Sequence, residues 1–185
     1  MGRPVISDDR VGEVYLSAEQ LHTRVGELGA AIAADYESRE PLLVAPLKAS
    51  VVFCADLSRA LPILHALDFV QLAGYRPNEE TGGGAGVRLI KDLDMDVAGR
   101  DVLVVEDVVD TGLTLRFLCR TLELRRPSSL AVVTLLDRPY RRLVDDLPVR
   151  YVGFVVPDEL FVGYGFDLAE RYRSLPDLHL ARGRV

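Results

Sequence analysis

The chain has 185 residues, 49% hydrophobic and 27% charged, the size of one domain and a composition that excludes a disordered segment. Its 28 acidic side chains outnumber 22 basic ones, for a net charge of −6, a balance that disfavours gripping nucleic acid through its phosphates as a main task. No apolar run approaches the ~18 residues of a membrane span, and Met1–Arg10 lacks a signal-peptide apolar region, so a cytoplasmic protein is expected.

Ser17 and Gln20 read as a capping box that opens a helix with Leu21, Val25, Leu28 and Ile32 on one face. Leu42–Leu47 has the length and composition of a buried strand, Val51–Leu61 reads as a helix closed by Pro62, and Leu67–Ala73 as a strand. Asn78–Gly86, with its glycine run, predicts a long loop, and Val87–Lys91 a strand beyond it. Val102–Val105 is the clearest buried strand; a helix is predicted from about Leu113 to Arg125, and Leu130–Leu136 and Val149–Val156 complete four or five core strands. Cys54 and Cys119 sit among apolar neighbours, which argues against a disulfide, and His22, His65 and His179 show no metal-ligand spacing.

Apolar strands alternating with helices predict an α/β fold with a mostly parallel sheet flanked by helices. Ligands in such sheets bind beyond the carboxyl ends of the strands, here just after Leu47, Val105, Leu136 and Val156. After Val105 come Glu106, Asp107 and Asp110, three carboxylates within five residues, then Thr111-Gly112-Leu113-Thr114. Two readings are open. Asp110 alone is explained by helix capping. The whole cluster needs a cation, a proton or ligand hydroxyls to offset like-charge repulsion, and the helix start with two hydroxyls has the anatomy of a phosphate cradle.

The segment Val102–Thr114, VLVVEDVVDTGLT, resembles the phosphoribosyl pyrophosphate motif of type I phosphoribosyltransferases. The hypoxanthine-guanine branch is the nearest resemblance. Leu47-Lys48-Ala49-Ser50 is similar to its pyrophosphate loop, where the family often holds a cis peptide. Ile90–Asp94, Leu135–Pro139, Tyr151–Phe154 and the run Val162–Asp167 through Arg171-Tyr172-Arg173 follow in family order. The resemblance implies one phosphoribosyltransferase domain over 1–185, with a core of about 40–150 and a small base-binding hood from about 1–20 and 151–185. It implies transfer of 5-phosphoribosyl from phosphoribosyl pyrophosphate to a purine base, hypoxanthine or guanine first, in an enzyme that is a homodimer or homotetramer.

By family position, Asp110 is the catalytic proton acceptor or donor. Lys48, Ala49, Glu106, Asp107, Asp110, Thr111, Gly112, Leu113, Thr114 and Arg173 would bind phosphoribosyl pyrophosphate. Mg2+ is the implied cofactor, because pyrophosphate leaves poorly until its charge is neutralised; Glu106, Asp107 and Asp167 would hold it. Arg138, Leu160, Phe161, Val162 and Asp167 would face the base, and Tyr75 belongs to the lid. Lys48 and Lys91 are the only lysines among the 22 basic residues. A lysine in this loop therefore suggests a requirement arginine does not meet, the alternative being a solvated loop lysine. Arg173 has the alternative of a surface salt bridge.

Three departures bear on the base. Arg138 stands where the family has a lysine, either through drift to arginine or because it reads a different base edge. Leu160 stands where a stacking aromatic is usual and Phe161 follows it, as a base cover or as a core residue. The lid's Ser-Tyr pair is replaced by Gly74-Tyr75. Alternatives are therefore a modified purine such as a 7-deazapurine, a pyrimidine, and a non-catalytic regulator that senses phosphoribosyl pyrophosphate.

Overall fold

The computed structural model describes residues 8–75 and 86–182. Its centre is a six-stranded sheet built from β2 (Leu42–Leu47), β3 (Ala66–Tyr75), β4 (Gly86–Lys91), β5 (Asp101–Val109), β6 (Ser129–Asp137) and β7 (Val149–Val155). The order is β4-β3-β2-β5-β6-β7, parallel throughout except for the antiparallel edge strand β4. Each of the six has a predicted counterpart, Val87–Lys91 matching β4 but for one residue, so the expected four or five core strands fall short of the sheet only in number.

Helices α1 (Ala18–Asp35) and α2 (Ser50–Ala60) cover one face and α3 (Leu113–Glu123) the other. Strand alternation divides the apolar residues between the two faces. Leu43, Ala45, Leu103, Val105, Val133 and Leu135 pack with Leu21, Val25, Leu28 and Ile32 of α1 and Phe53 and Leu57 of α2. Leu42, Val44, Val102, Val104 and Val132 pack with Leu115, Leu118, Cys119 and Leu122 of α3. Both faces are buried, which is why these strands read as unbroken apolar runs.

The Ser17 hydroxyl accepts from the Gln20 N–H and the Gln20 side chain accepts from the Ser17 N–H, so the predicted capping box starts α1. Both cysteines are buried free thiols, pushed up in pKa chiefly by burial.

A second sheet has three antiparallel strands in the order β1-β9-β8: β1 (Val11–Leu16), β8 (Phe161–Val162) and β9 (Leu178–Ala181). None of these was predicted as a strand. A short 3-10 helix, η1 (Pro139–Arg141), follows β6. Among the described residues no helix is long and apolar enough to cross a membrane.

The crossover from β2 through α2 leads outward to β3, and that from β5 through α3 leads the opposite way to β6. The carboxyl ends of β2 and β5 thus flank the point where strand order reverses, the place an open α/β sheet offers a ligand.

Candidate active site

β5 does not stop at Val105 as predicted but continues to Val109, so Glu106 and Asp107 lie on the strand rather than after it. Val102 and Val104 face one core and Leu103 and Val105 the other, yet beyond the acidic pair Val108 joins the second group and Val109 the first. The alternation slips across Glu106-Asp107, and the two carboxyl groups come close enough to act on each other instead of pointing to opposite faces. Burial pushes Glu106 well above the ordinary carboxylate range, helped by the charge of Asp107. Burial also pushes Asp107 up to about 6, against the opposing pull of backbone N–H groups, Glu106 and the Arg173 charge. Two acids forced together inside a fold are costly unless a cation or hydroxyl donors arrive.

The capping explanation of the cluster fails. The N-cap of α3 is Gly112, in the left-handed region at φ 80°, which has no side chain to cap the helix; Thr111 Oγ1 accepts at 3.5 Å from the Leu113 N–H, and Asp110 caps nothing. Asp110 stands outside the helix. A Cβ at residue 112 would press on Val144 Cγ2 at 2.7 Å and Leu147 Cδ1 at 2.8 Å, so glycine is required for packing as well as for backbone angle. A cavity of about 200 Å³ opens here, lined by Glu106, Asp110, Thr111, Gly112 and Thr114 among others. Helix-start N–H groups, a positive dipole end and two hydroxyls at a cavity are what a phosphate group binds. Leu113 contributes its backbone; its side chain is largely exposed.

The loop after β2 carries Lys48 and Ala49, and the Leu47–Lys48 peptide bond is cis. Lys48 Nζ reaches across to Glu170 Oε2 at 3.0 Å. Arg173 binds the same carboxylate at 3.2 Å, Asp167 Oδ1 at 2.9 Å and the Gly165 carbonyl at 2.8 Å. Glu170, which sequence reading did not single out, therefore bridges the two cations assigned to pyrophosphate, and they hold its carboxyl below the ordinary range. Ala169 and Glu170 both adopt positive φ (53° and 64°) to present that side chain. No residue-type signal marks such a pair in a sequence. Asp167 Oδ2 accepts from the Glu170 N–H at 2.8 Å.

Among the described residues no three carboxylates, histidines or cysteines group into a metal cage. That fits magnesium, which favours one or two carboxylates with substrate phosphates and waters over an all-protein cage. The paired Glu106 and Asp107 side chains provide the matching oxygen donors.

Arg138, at the end of β6, is buried, with its guanidinium 5.6 Å above the Phe161 ring and donating to the Glu159 carbonyl. Its Nε is buried without an acceptor, an unmet donor of the kind a ligand oxygen satisfies. Phe161 is a core residue, its ring 5.0 Å from that of Tyr15. Leu160 is the exposed member of the pair, and Val162 is fully buried against Tyr172 and Leu175. Phe161 thus supports Arg138, leaving Leu160 on the surface. Tyr75 ends β3, and the lid residues 76–85 lie outside the described residues.

Residues 15–165 match the family model described as the phosphoribosyl transferase domain. This chain belongs to the phosphoribosyltransferase family. It is 45% identical over 166 residues to a hypoxanthine phosphoribosyltransferase of Salmonella typhimurium, an alignment covering 89% of this chain and 92% of the relative. It is 41% identical over 175 residues to a hypoxanthine-guanine phosphoribosyltransferase of Bacillus subtilis, covering 95% and 96%. The crystal structure of a hypoxanthine-guanine phosphoribosyltransferase from Bacillus anthracis superposes with a TM-score of 0.84 at 43% identity, covering 93% of this phosphoribosyltransferase and 98% of that chain. Nothing in these similarities favours the modified-purine, pyrimidine or regulator alternatives.

Proposed function

We propose that this enzyme transfers 5-phosphoribosyl from phosphoribosyl pyrophosphate to hypoxanthine or guanine, giving the nucleoside monophosphate and pyrophosphate. The observation that carries the reading is the half-buried Glu106–Asp107 pair set beside the start of α3, whose N-cap is a glycine. Carboxylates at that place bind ribose hydroxyls, and Thr111, Gly112, Leu113 and Thr114 bind the 5′-phosphate through N–H and hydroxyl groups. Lys48, Ala49 and Arg173 take the pyrophosphate. The names and high identity of the relatives support the choice of base.

The bond from the anomeric carbon to pyrophosphate breaks, its electron pair leaving with the pyrophosphate, as the bond to the base nitrogen forms. The ring nitrogen loses its proton to the Asp110 carboxylate. Charge at the sugar is oxocarbenium-like, so positioned anions and excluded water lower the barrier more than covalent chemistry does. Magnesium, held by Glu106 and Asp107 with the substrate's oxygens and by Asp167 at the pyrophosphate side, would neutralise the leaving group. Arg138 Nε would donate to the exocyclic oxygen of the base, and Leu160, Phe161, Val162 and Asp167 would complete its surroundings. The chain acts as one unit, with 40–150 the catalytic core and the terminal segments the hood, in the cytoplasm, as a homodimer or homotetramer that light scattering would read.

The test is a panel of free bases with phosphoribosyl pyrophosphate and Mg2+, scored for nucleotide and pyrophosphate, with Asp110→Asn beside the parent. Asp110→Asn should retain binding of phosphoribosyl pyrophosphate and lose roughly 10²–10⁴-fold in turnover. Undiminished turnover would remove Asp110 from the chemistry.

A further inference from the structure

Asp110 is the group that handles the proton, but the structure gives it a partner that the family motif does not include. Arg141, the last residue of η1, brings its Nε to 2.7 Å from Asp110 Oδ1, and its second prong donates to Asp158 Oδ1 at 2.7 Å. Asp110 Oδ1 is shielded from solvent and has no aligned hydrogen-bond donor, so the guanidinium beside it is its charge partner.

The segment that carries Arg141 is laced into the site. The Leu143 N–H donates to the Thr111 carbonyl at 3.0 Å, and the Arg138 N–H to the Val109 carbonyl at 3.0 Å. Tyr140 donates its hydroxyl to the Val156 carbonyl, and Arg142 pairs with Asp137. Arg141 thus ties together the ends of β5, β6 and β7, the three strand ends that surround a base lying next to Asp110.

We infer that Arg141 is a positioning residue for the transfer step: it commits Asp110 Oδ1 to the guanidinium and leaves the proton to Oδ2. This rests on the role of Asp110 proposed above. Asp158 shares the charge of Arg141, so the fork orients the carboxylate without capturing it. Lysine cannot reproduce this. Its ammonium is a point charge, whereas the planar fork faces two carboxylates in fixed directions. The groups are partly exposed, so the pair adds little to folding and its removal leaves the chain folded.

The experiment measures steady-state kinetics of Arg141→Met, Arg141→Lys, Asp110→Asn and the Asp110→Asn/Arg141→Met double variant, with Tm for each. Arg141→Met should lose on the order of 10–100-fold in kcat, the scale of a misplaced catalytic group, with KM for phosphoribosyl pyrophosphate nearly unchanged. Arg141→Lys should recover only part of the loss. In the double variant the arginine should have nothing left to position, so it should be no slower than Asp110→Asn alone. A purely structural arginine would instead give multiplying losses and a lowered Tm. Multiplying losses, or Arg141→Met at parental kcat beside a slow Asp110→Asn, overturns this inference alone. Asp110→Asn at parental speed overturns the role of Asp110 and this inference with it.

Discussion

The six-stranded sheet and the three-stranded sheet place substrate-facing groups by different means. In the large sheet, β2, β5 and β6 are parallel neighbours covered on both faces, and the groups assigned to sugar and phosphate sit on β5, in the turn after it or in the first turn of α3. In the small sheet Val11 pairs with Ala181 and Phe161 with Leu180, joining the two ends of the described chain through the central four-residue strand β9, with two-residue β8 at the edge. The segment it supports turns through positive φ at Gly163, Tyr164, Gly165, Ala169, Glu170 and Tyr172. The large sheet fixes charge by depth of burial. The small one fixes it by backbone turns and ion pairs at the surface, where a substitution alters recognition before it alters folding.

The largest effect should come from the large sheet. Leu103 is fully buried between β5 and the α1–α2 layer, and Leu103→Ala should cost about 2–5 kcal/mol in denaturant unfolding. A loss below about 1 kcal/mol would show that the sheet is not the source of stability. Next comes the joint between the two regions. Gly165 lies at φ 97°, and a Cβ there would collide with the carbonyl oxygen of Ala49 in the pyrophosphate loop. Gly165→Ala should raise KM for phosphoribosyl pyrophosphate by roughly tenfold while shifting Tm less than Leu103→Ala does. Equal damage to Tm would erase the distinction between the regions.

Smaller still is Glu170→Gln, which removes a carboxylate that occupies Lys48 and Arg173 in the substrate-free protein. The pair is exposed and screened by water, so KM for phosphoribosyl pyrophosphate should fall by only about two- to fivefold. A rise in KM would mean that Glu170 holds the two cations ready instead of competing for them. The smallest overall effect belongs to Arg138→Lys. It should change relative kcat/KM among purines differing at the six-position, and unchanged ratios would make the arginine a compositional accident.

These differences also govern what a reader of the sequence sees. β2, β5 and β6 are legible because burial on both faces demands consecutive apolar residues, and α1 because Ser17 and Gln20 close a local capping box. The acidic cluster is legible because Glu106, Asp107 and Asp110 are close in sequence. β1, β8 and β9 are not, since β8 and β9 have two and four residues and carry little alternation, and the partner of β1 lies at the other end of the chain. The extension of β5 past Val105 was hidden by charge, which reads as a loop. Arg141 and Glu170 were hidden because their partners Asp110, Lys48 and Arg173 come to them only through folding, in a chain already crowded with arginine.

That crowding gives the two lysines separate fates. The Lys91 amine is enclosed by the carbonyls of Phe69 and Asp92, at 3.0 and 2.8 Å, and by Asp94 Oδ2 at 3.1 Å. It fastens the end of β4 beside the buried Asp68 carboxylate, which accepts the N–H groups of Asp94 and Met95. Lys48, with 57% of its side chain exposed, is held by one surface carboxylate. An acylating reagent therefore meets two unlike ε-amines, Lys91 held by three oxygens and Lys48 by one, and the less encumbered Lys48 is the readier handle for a reporter dye.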